Sequence, residues 1–166
     1  MSPDQQSPQS QKLAESLVLL EFIADLYPDA SLLPKDPVLR AKARFFINTV
    51  AQKFVPSHES TARDPEIVLP AVEYIQTMLP QEGYAIGPEW SIADASITPF
   101  AARLNVMLKY DIGVWKEGQG KKVYDTLQND PKYARFKKYF EDVTSRPSFQ
   151  ETFDEVRYGG LSIRLS

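Results

Sequence analysis

Three Asp-Pro pairs, Asp36-Pro37, Asp64-Pro65 and Asp130-Pro131, each stand ahead of apolar residues that recur every three or four positions. An aspartate just before a helix accepts the amides that a helix start leaves free. A proline there is already set to the first helical φ. The pattern points to a chain of helices. No stretch alternates apolar and polar residues between hairpin turns, so no sheet is expected. The predicted fold class is an all-α bundle of about seven helices, without internal repeats.

Residues 1–11 are polar, contain proline and read as a flexible lead-in. The first helix is expected from Lys12 to Tyr27. Its consecutive Leu17, Val18, Leu19 and Leu20 cover most of its circumference, which predicts burial on more than one side. The second is expected from the Asp36-Pro37 cap to about Val55, stopped by Pro56, with Leu39, Ala43, Phe46, Val50 and Phe54 inward. The Asp64-Pro65 helix meets Pro70, so it either kinks or starts near Glu66–Pro70. Gln81–Glu89 reads as a loop. Ser91-Ile92-Ala93-Asp94 has the form of a capping box, with Trp90 as the apolar residue before it. That helix runs to about Tyr110 as the central core element, and Pro99 within it predicts a kink. Short helices follow at Lys121–Gln128 and from Asp130-Pro131 to about Ser145. The last is expected to open on a second capping box, Ser148–Glu151, and to bury Phe149, Phe153 and Val156. Gly159-Gly160 then releases a tail.

At 166 residues the chain is the size of one domain. It has no cysteine, so disulfides, thiolate metal sites and cysteine nucleophiles are excluded. A single histidine, His58, rules out a site needing two imidazoles, and no metal is expected. The net charge of −3 leaves no footprint for nucleic acid. No phosphate-cradling glycine loop is present. No apolar run approaches the ~20 residues of a membrane span, and the N-terminus does not read as a signal peptide. The cytoplasm is the expected compartment.

The stretch Leu13–Phe46 (LAESLVLLEFIADLYPDASLLPKDPVLRAKARFF) resembles the domain junction of cytosolic glutathione transferases. In that family an LxES motif opens the last helix of a thioredoxin-like domain, and an LLPxDPxxRA linker leads to an all-helical C-terminal domain. Ser91–Asp94, followed by Pro99 and Arg103, resembles the family's core-helix capping box. RPSFQET at 146–152 resembles the entry to its late helix. The wording is most similar to the omega-type and related fungal branches. The resemblance spans roughly Leu13 to Val156. It implies a lead-in at 1–11, a remnant last helix of the thioredoxin-like domain at 12–27, and a C-terminal-like helical domain at 36–166. Most of the thioredoxin-like domain, with the family's catalytic residue, has no counterpart. The chain thus reads as N-terminally truncated, and no catalytic residue carries over.

The implied cofactor is glutathione, bound weakly or no longer. The surviving contacts are Glu15, for the γ-glutamyl ammonium, and Ser16, for its carboxylate. Both residues are equally suited to starting a helix. Phe45, Phe46, Phe54 and Met107 either line a pocket for a small apolar ligand or simply pack the core. Ser91 and Asp94 read as caps. Arg40, Arg44 and Arg103 read as solvated ion-pairing residues, or else as contacts for an anion or partner. His58 reads as an exposed connector residue. Two functions remain open: a transferase homologue inactive as this chain, and a non-catalytic helical module for protein assembly. The all-round apolar first helix predicts a homodimer or other oligomer through the first or second helix.

Overall fold

The computed structural model describes residues 11–155; the remaining lead-in, Val156 and Gly159-Gly160 lie outside them. The Asp36 carboxylate accepts the Leu39 amide at 2.8 Å and starts α2, Pro37–Thr49. In the same way Asp64 accepts the Glu66 amide at 3.0 Å. That cap opens a 3-10 turn at Pro65–Val68, and α4 starts one residue later, at Leu69–Met78. Pro70 therefore falls in the first turn, where its missing amide costs nothing. Asp130 caps a 3-10 turn, Pro131–Tyr133, which leads into α7, Ala134–Thr144. The other helices are α1, Ser16–Leu26; α3, Val55–Thr61; α5, Ile92–Lys109; α6, Gln119–Asn129; and α8, Pro147–Thr152. Among the described residues there is no strand.

Pro56 does not end the second helix. A π-helical segment, Val50–Phe54, joins α2 to α3, so residues 37–61 form one rod. The wider π turn restarts the hydrogen-bond ladder, and Pro56 then lies in the first turn of α3. With that rod counted once, the helices number seven among the described residues.

Three further expectations need correction. The first helix begins at Ser16 rather than Lys12, because Glu15 has φ 72° and ψ 114° and breaks the helical path. Nor is α1 buried on several sides. Ala24 is buried and Leu17 and Leu20 pack on the core, but Val18, Phe22 and Leu26 are 52%, 42% and 54% exposed. That face is left about half open to solvent. Finally, Ser148 makes no capping box. Pro147 takes the first position of α8, Arg146 precedes it without a side-chain cap, and Ser148 lies inside the helix. Phe149 and Phe153 stack on each other at 4.9 Å and are only half-buried.

The central helix is α5, with Pro99 inside it. It packs against α1, α2, α3, α6 and α7. Ile92, Ile97, Leu104 and Leu108 are essentially fully buried there, each side chain worth roughly 1.5–3 kcal/mol of transfer free energy. On the same helix Phe100 and Met107 are half-buried. Asp111 then organises the start of α6. Its carboxylate accepts from Trp115 Nε1 at 2.8 Å and from the Gly118 and Gly120 amides. Those contacts, the Gly118 amide first, hold its carboxyl below the usual carboxylate range.

Candidate functional site

A non-glycine residue at positive φ stores on the order of 1–3 kcal/mol, and such residues concentrate at functional sites. Glu15 is one, and it directly precedes α1. Neither Glu15 nor Ser16 caps the helix: no side-chain cap is formed, and both residues are exposed. The first turn carries no acidic residue. Among the described residues the first amides of α1 and the Ser16 hydroxyl are thus open to an anion, with the helix dipole favouring one. The Glu15 carboxylate, which has no partner among the described residues, stands beside them, suited to an ammonium group. Glu21 fixes α1 to α2 through a bidentate pair with Arg44, at 3.0 and 2.9 Å. That bond to Arg44 is the largest cause of the lowered Glu21 pKa.

The loop after α4 is held to α5 and α7 by buried polar contacts. Asp94 is fully buried. Its Oδ2 accepts from the Ser91 amide at 2.9 Å and the Ser91 hydroxyl at 3.2 Å. Its Oδ1 accepts from the Ala85 amide at 2.7 Å and the Tyr139 hydroxyl at 2.9 Å. Ser91 Oγ accepts from the Ala93 amide at 3.2 Å, so the expected capping box is present. Burial raises the Asp94 pKa, against the pull of its hydrogen bonds. Arg135 donates to the carbonyls of Pro80 and Gly83 at 2.6 and 2.8 Å. Arg146 lies over the rings of Trp90 and Tyr84, at 4.8 and 5.6 Å. Gly83 closes the loop at φ +79°, where a Cβ would meet the Gly87 carbonyl oxygen at 2.6 Å.

His58 is not an exposed connector, because α3 carries it into the seam with α5. Its ring meets Phe100 edge-on at 5.7 Å. Both ring nitrogens are buried with no hydrogen-bond partner among the described residues. Burial first, and then the charge of Arg103, push its pKa down to about 4. Arg103 lies 5.1 Å from the Phe100 centroid and donates from Nε to its own-turn Pro99 carbonyl at 3.2 Å. It forms no ion pair among the described residues, so its guanidinium edge is free for an anion. Sequence reasoning missed this cluster because it ended the helix at Pro56. The i, i+3 spacing of Phe100 and Arg103 was its visible trace.

The four proposed pocket residues are placed differently from one another. Phe45 is 59% exposed and lines a groove with the buried Phe46. Phe54 is fully buried against Phe136, at 6.3 Å. Met107 is half-buried on α5. Among the described residues no group of acidic or histidine side chains is placed to hold a metal ion, and no helix is long and apolar enough to cross a membrane.

No family model matches the chain. Among solved structures it is similar to glutathione transferase Omega 1C from Trametes versicolor: 45% identity, 99% of this chain and 70% of that one, TM-score 0.92. Omega 2S from the same fungus, solved in complex with 2,4-dihydroxybenzophenone, is 37% identical over 99% of this chain and 70% of that one, TM-score 0.84. A probable maleylacetoacetate isomerase of Caenorhabditis elegans is 31% identical over 111 residues, 57% of this chain and 52% of that protein. The chain spans between 52% and 60% of the length of the first curated relatives it matches.

Proposed function

This chain belongs to the glutathione transferase family, and from that membership we propose that the start of α1 receives the γ-glutamyl end of glutathione. The observation that carries the reading is the positive φ of Glu15, which turns the chain so that the Ser16 hydroxyl and the first α1 amides stay uncapped. Ser16 would donate to the γ-glutamyl carboxylate, and Glu15 would pair with the neighbouring ammonium. The cofactor is therefore glutathione, held weakly. Residues 12–27 are read as the last helix of a thioredoxin-like unit, and 36–166 as the helical domain. As in a family of cytosolic enzymes, the protein is assigned to the cytoplasm.

We further propose that this chain alone does not turn over substrate. Conjugation needs a thiolate stabilised at the sulfur and an electrophile held beside it. Glu15 and Ser16 serve the opposite end of the tripeptide. Without a cysteine the chain cannot run thiol transfer through its own sulfur. What it retains is binding of small apolar molecules, supported by the exposed Phe45 beside a groove and by the aromatic ligand of the Omega 2S relative.

A second reading, a helical module for protein assembly, is favoured by the open apolar face of α1. That face would bury itself in a homodimer or in a larger partner. One experiment separates the readings: chloronitrobenzene and disulfide assays at high protein concentration, with sedimentation of the same samples. The expected result is no turnover above the uncatalysed rate. Turnover that disappears in Ser16→Ala would overturn it. Tight self-association with no response to glutathione would favour the module.

A further inference from the structure

Every polar side chain along α5 but one is bonded. Asp94 sits in its network, and Ser96 and Thr98 donate to the Ala93 and Asp94 carbonyls at 2.6 and 2.7 Å. Arg103 donates to the Pro99 carbonyl, and Lys109 donates to Glu155 at 2.7 Å. Asn105 is the exception. It is half-buried and makes no hydrogen bond among the described residues. Asparagine is a poor helix former, and its carboxamide brings two donors and an acceptor that a half-buried position must answer. An unanswered polar group inside a central helix is costly where it stands.

Asn105 borders two hollows. The slot between α5, α6 and α7 has about 20 Å³, room for about one water. The other, about 250 Å³, opens between α5, α7 and α8. The buried Ala102 and Val106 floor it, and Phe140, Phe149 and Phe153 make its walls aromatic. At that volume, just below the range of drug-sized ligands, it takes a molecule of one or two rings. Its frame is tied together. The Gln150 Nε2 donates to the Thr144 carbonyl at 2.6 Å and holds α8 to the end of α7. Glu155, the one charged residue lining the hollow among the described residues, is neutralised by Lys109. The site is therefore aromatic, without net charge and already assembled, so a ligand spends little free energy on ordering it.

We infer that this hollow binds an uncharged planar molecule with a cyclic-amide edge, an N–H beside a C=O, as in a lactam or a pyrimidinone. The Asn105 side-chain oxygen accepts the ligand N–H, and its amide nitrogen donates to the ligand carbonyl. The ring plane lies against the phenylalanines. The inference needs neither the start of α1 nor the groove beside Phe45.

The test uses 2-quinolinone and N-methyl-2-quinolinone, which differ only by the methyl group that blocks the donor. Each is titrated into the whole isotope-labelled chain. The expected result is saturating shifts at the Val106, Phe149 and Gln150 amides and at the Asn105 side-chain amide. The lactam should bind tighter than its methyl derivative by roughly fivefold or more, the worth of a hydrogen bond made at little cost. Asn105→Leu should cancel that ratio, and Asn105→Ser should do the same if leucine crowds the hollow. Phe149→Ala should weaken both probes, whereas Phe45→Ser on α2 should change neither. Equal affinity of the native chain for the two probes would overturn the amide-edge assignment. A ratio that survives both Asn105 substitutions would trace it to the bulk of the methyl group and overturn it equally. No binding, or shifts confined to other surfaces, would remove the hollow as a site. Shifts at these amides that follow protein concentration without any probe would give the surface to a second copy of the chain and overturn the proposal.

Discussion

Asp94→Ala should lower the unfolding free energy by about 4 kcal/mol, the largest effect expected of a single side chain here. The carboxylate accepts from the Ala85 amide, the Ser91 amide, the Ser91 hydroxyl and the Tyr139 hydroxyl, in a position sealed from water. Removing it strands three or four buried donors, each costing about 1–3 kcal/mol. Partial rehydration brings the sum down. Against a typical total of roughly 5–15 kcal/mol, the variant folds marginally. The melting temperature should drop by about 12 °C. Asp94→Asn should cost about half as much, since one amide oxygen still serves Ala85 and Tyr139 while the amide nitrogen faces the Ser91 donors. Urea melts of the three proteins check this. A near-native midpoint for Asp94→Ala would show that the loop before α5 is held by something other than this carboxylate.

The second large effect is a pH dependence from His58. Its folded pKa is about 4, below the usual 6.5. Between those values the unfolded chain binds the proton and the folded chain does not, so stability rises with pH across that window. Acidification from pH 7 to pH 4 should therefore cost about 2 kcal/mol, discounted from the full shift because the ring is only partly buried. Asp94 acts in the opposite sense. Its raised folded pKa makes stability fall as pH rises from its ordinary value of 3.8 toward the folded one. The His58 contribution is isolated by comparing the native chain with His58→Leu, which should lose the slope between pH 4 and 6.5. Leu also removes two unpartnered buried nitrogens, so at pH 7 the variant should be no less stable than the native chain. Parallel pH profiles for the two proteins would place the imidazole in water rather than against Phe100.

What the sequence revealed was local chemistry. The Asp36, Asp64 and Asp130 caps and the Ser91–Asp94 box involve residues at most three apart, and each forms as read. Pro70 was legible because a proline is tolerated in only one part of a helix. Pro56 was not, since the same rule predicts a stop unless a π turn intervenes, and that turn depends on packing. The role of Asp94 was only half visible. Ser91 is a neighbour in sequence, but Ala85 and Tyr139 are 9 and 45 residues away. Phe45 and Phe46 read alike as pocket-or-core candidates, although only Phe46 belongs to the inward stripe of α2. One step of 100° around α2 separates a groove lip from the core. The Glu15 backbone is the extreme case, because nothing in an LxES string announces a positive φ. Only the family resemblance marked the place, and the geometry there is what sequence periodicity had read as an ordinary continuation of the helix.

The central claim, that the start of α1 is built for the γ-glutamyl end of glutathione, is tested most directly by titrating glutathione into the isotope-labelled chain and its Ser16→Ala variant. The account predicts weak, saturable shifts, in the millimolar range or weaker, centred on the amides of Ser16, Leu17 and Val18 and lost in Ser16→Ala. Shifts centred elsewhere, or the same titration curve for both proteins, would contradict it.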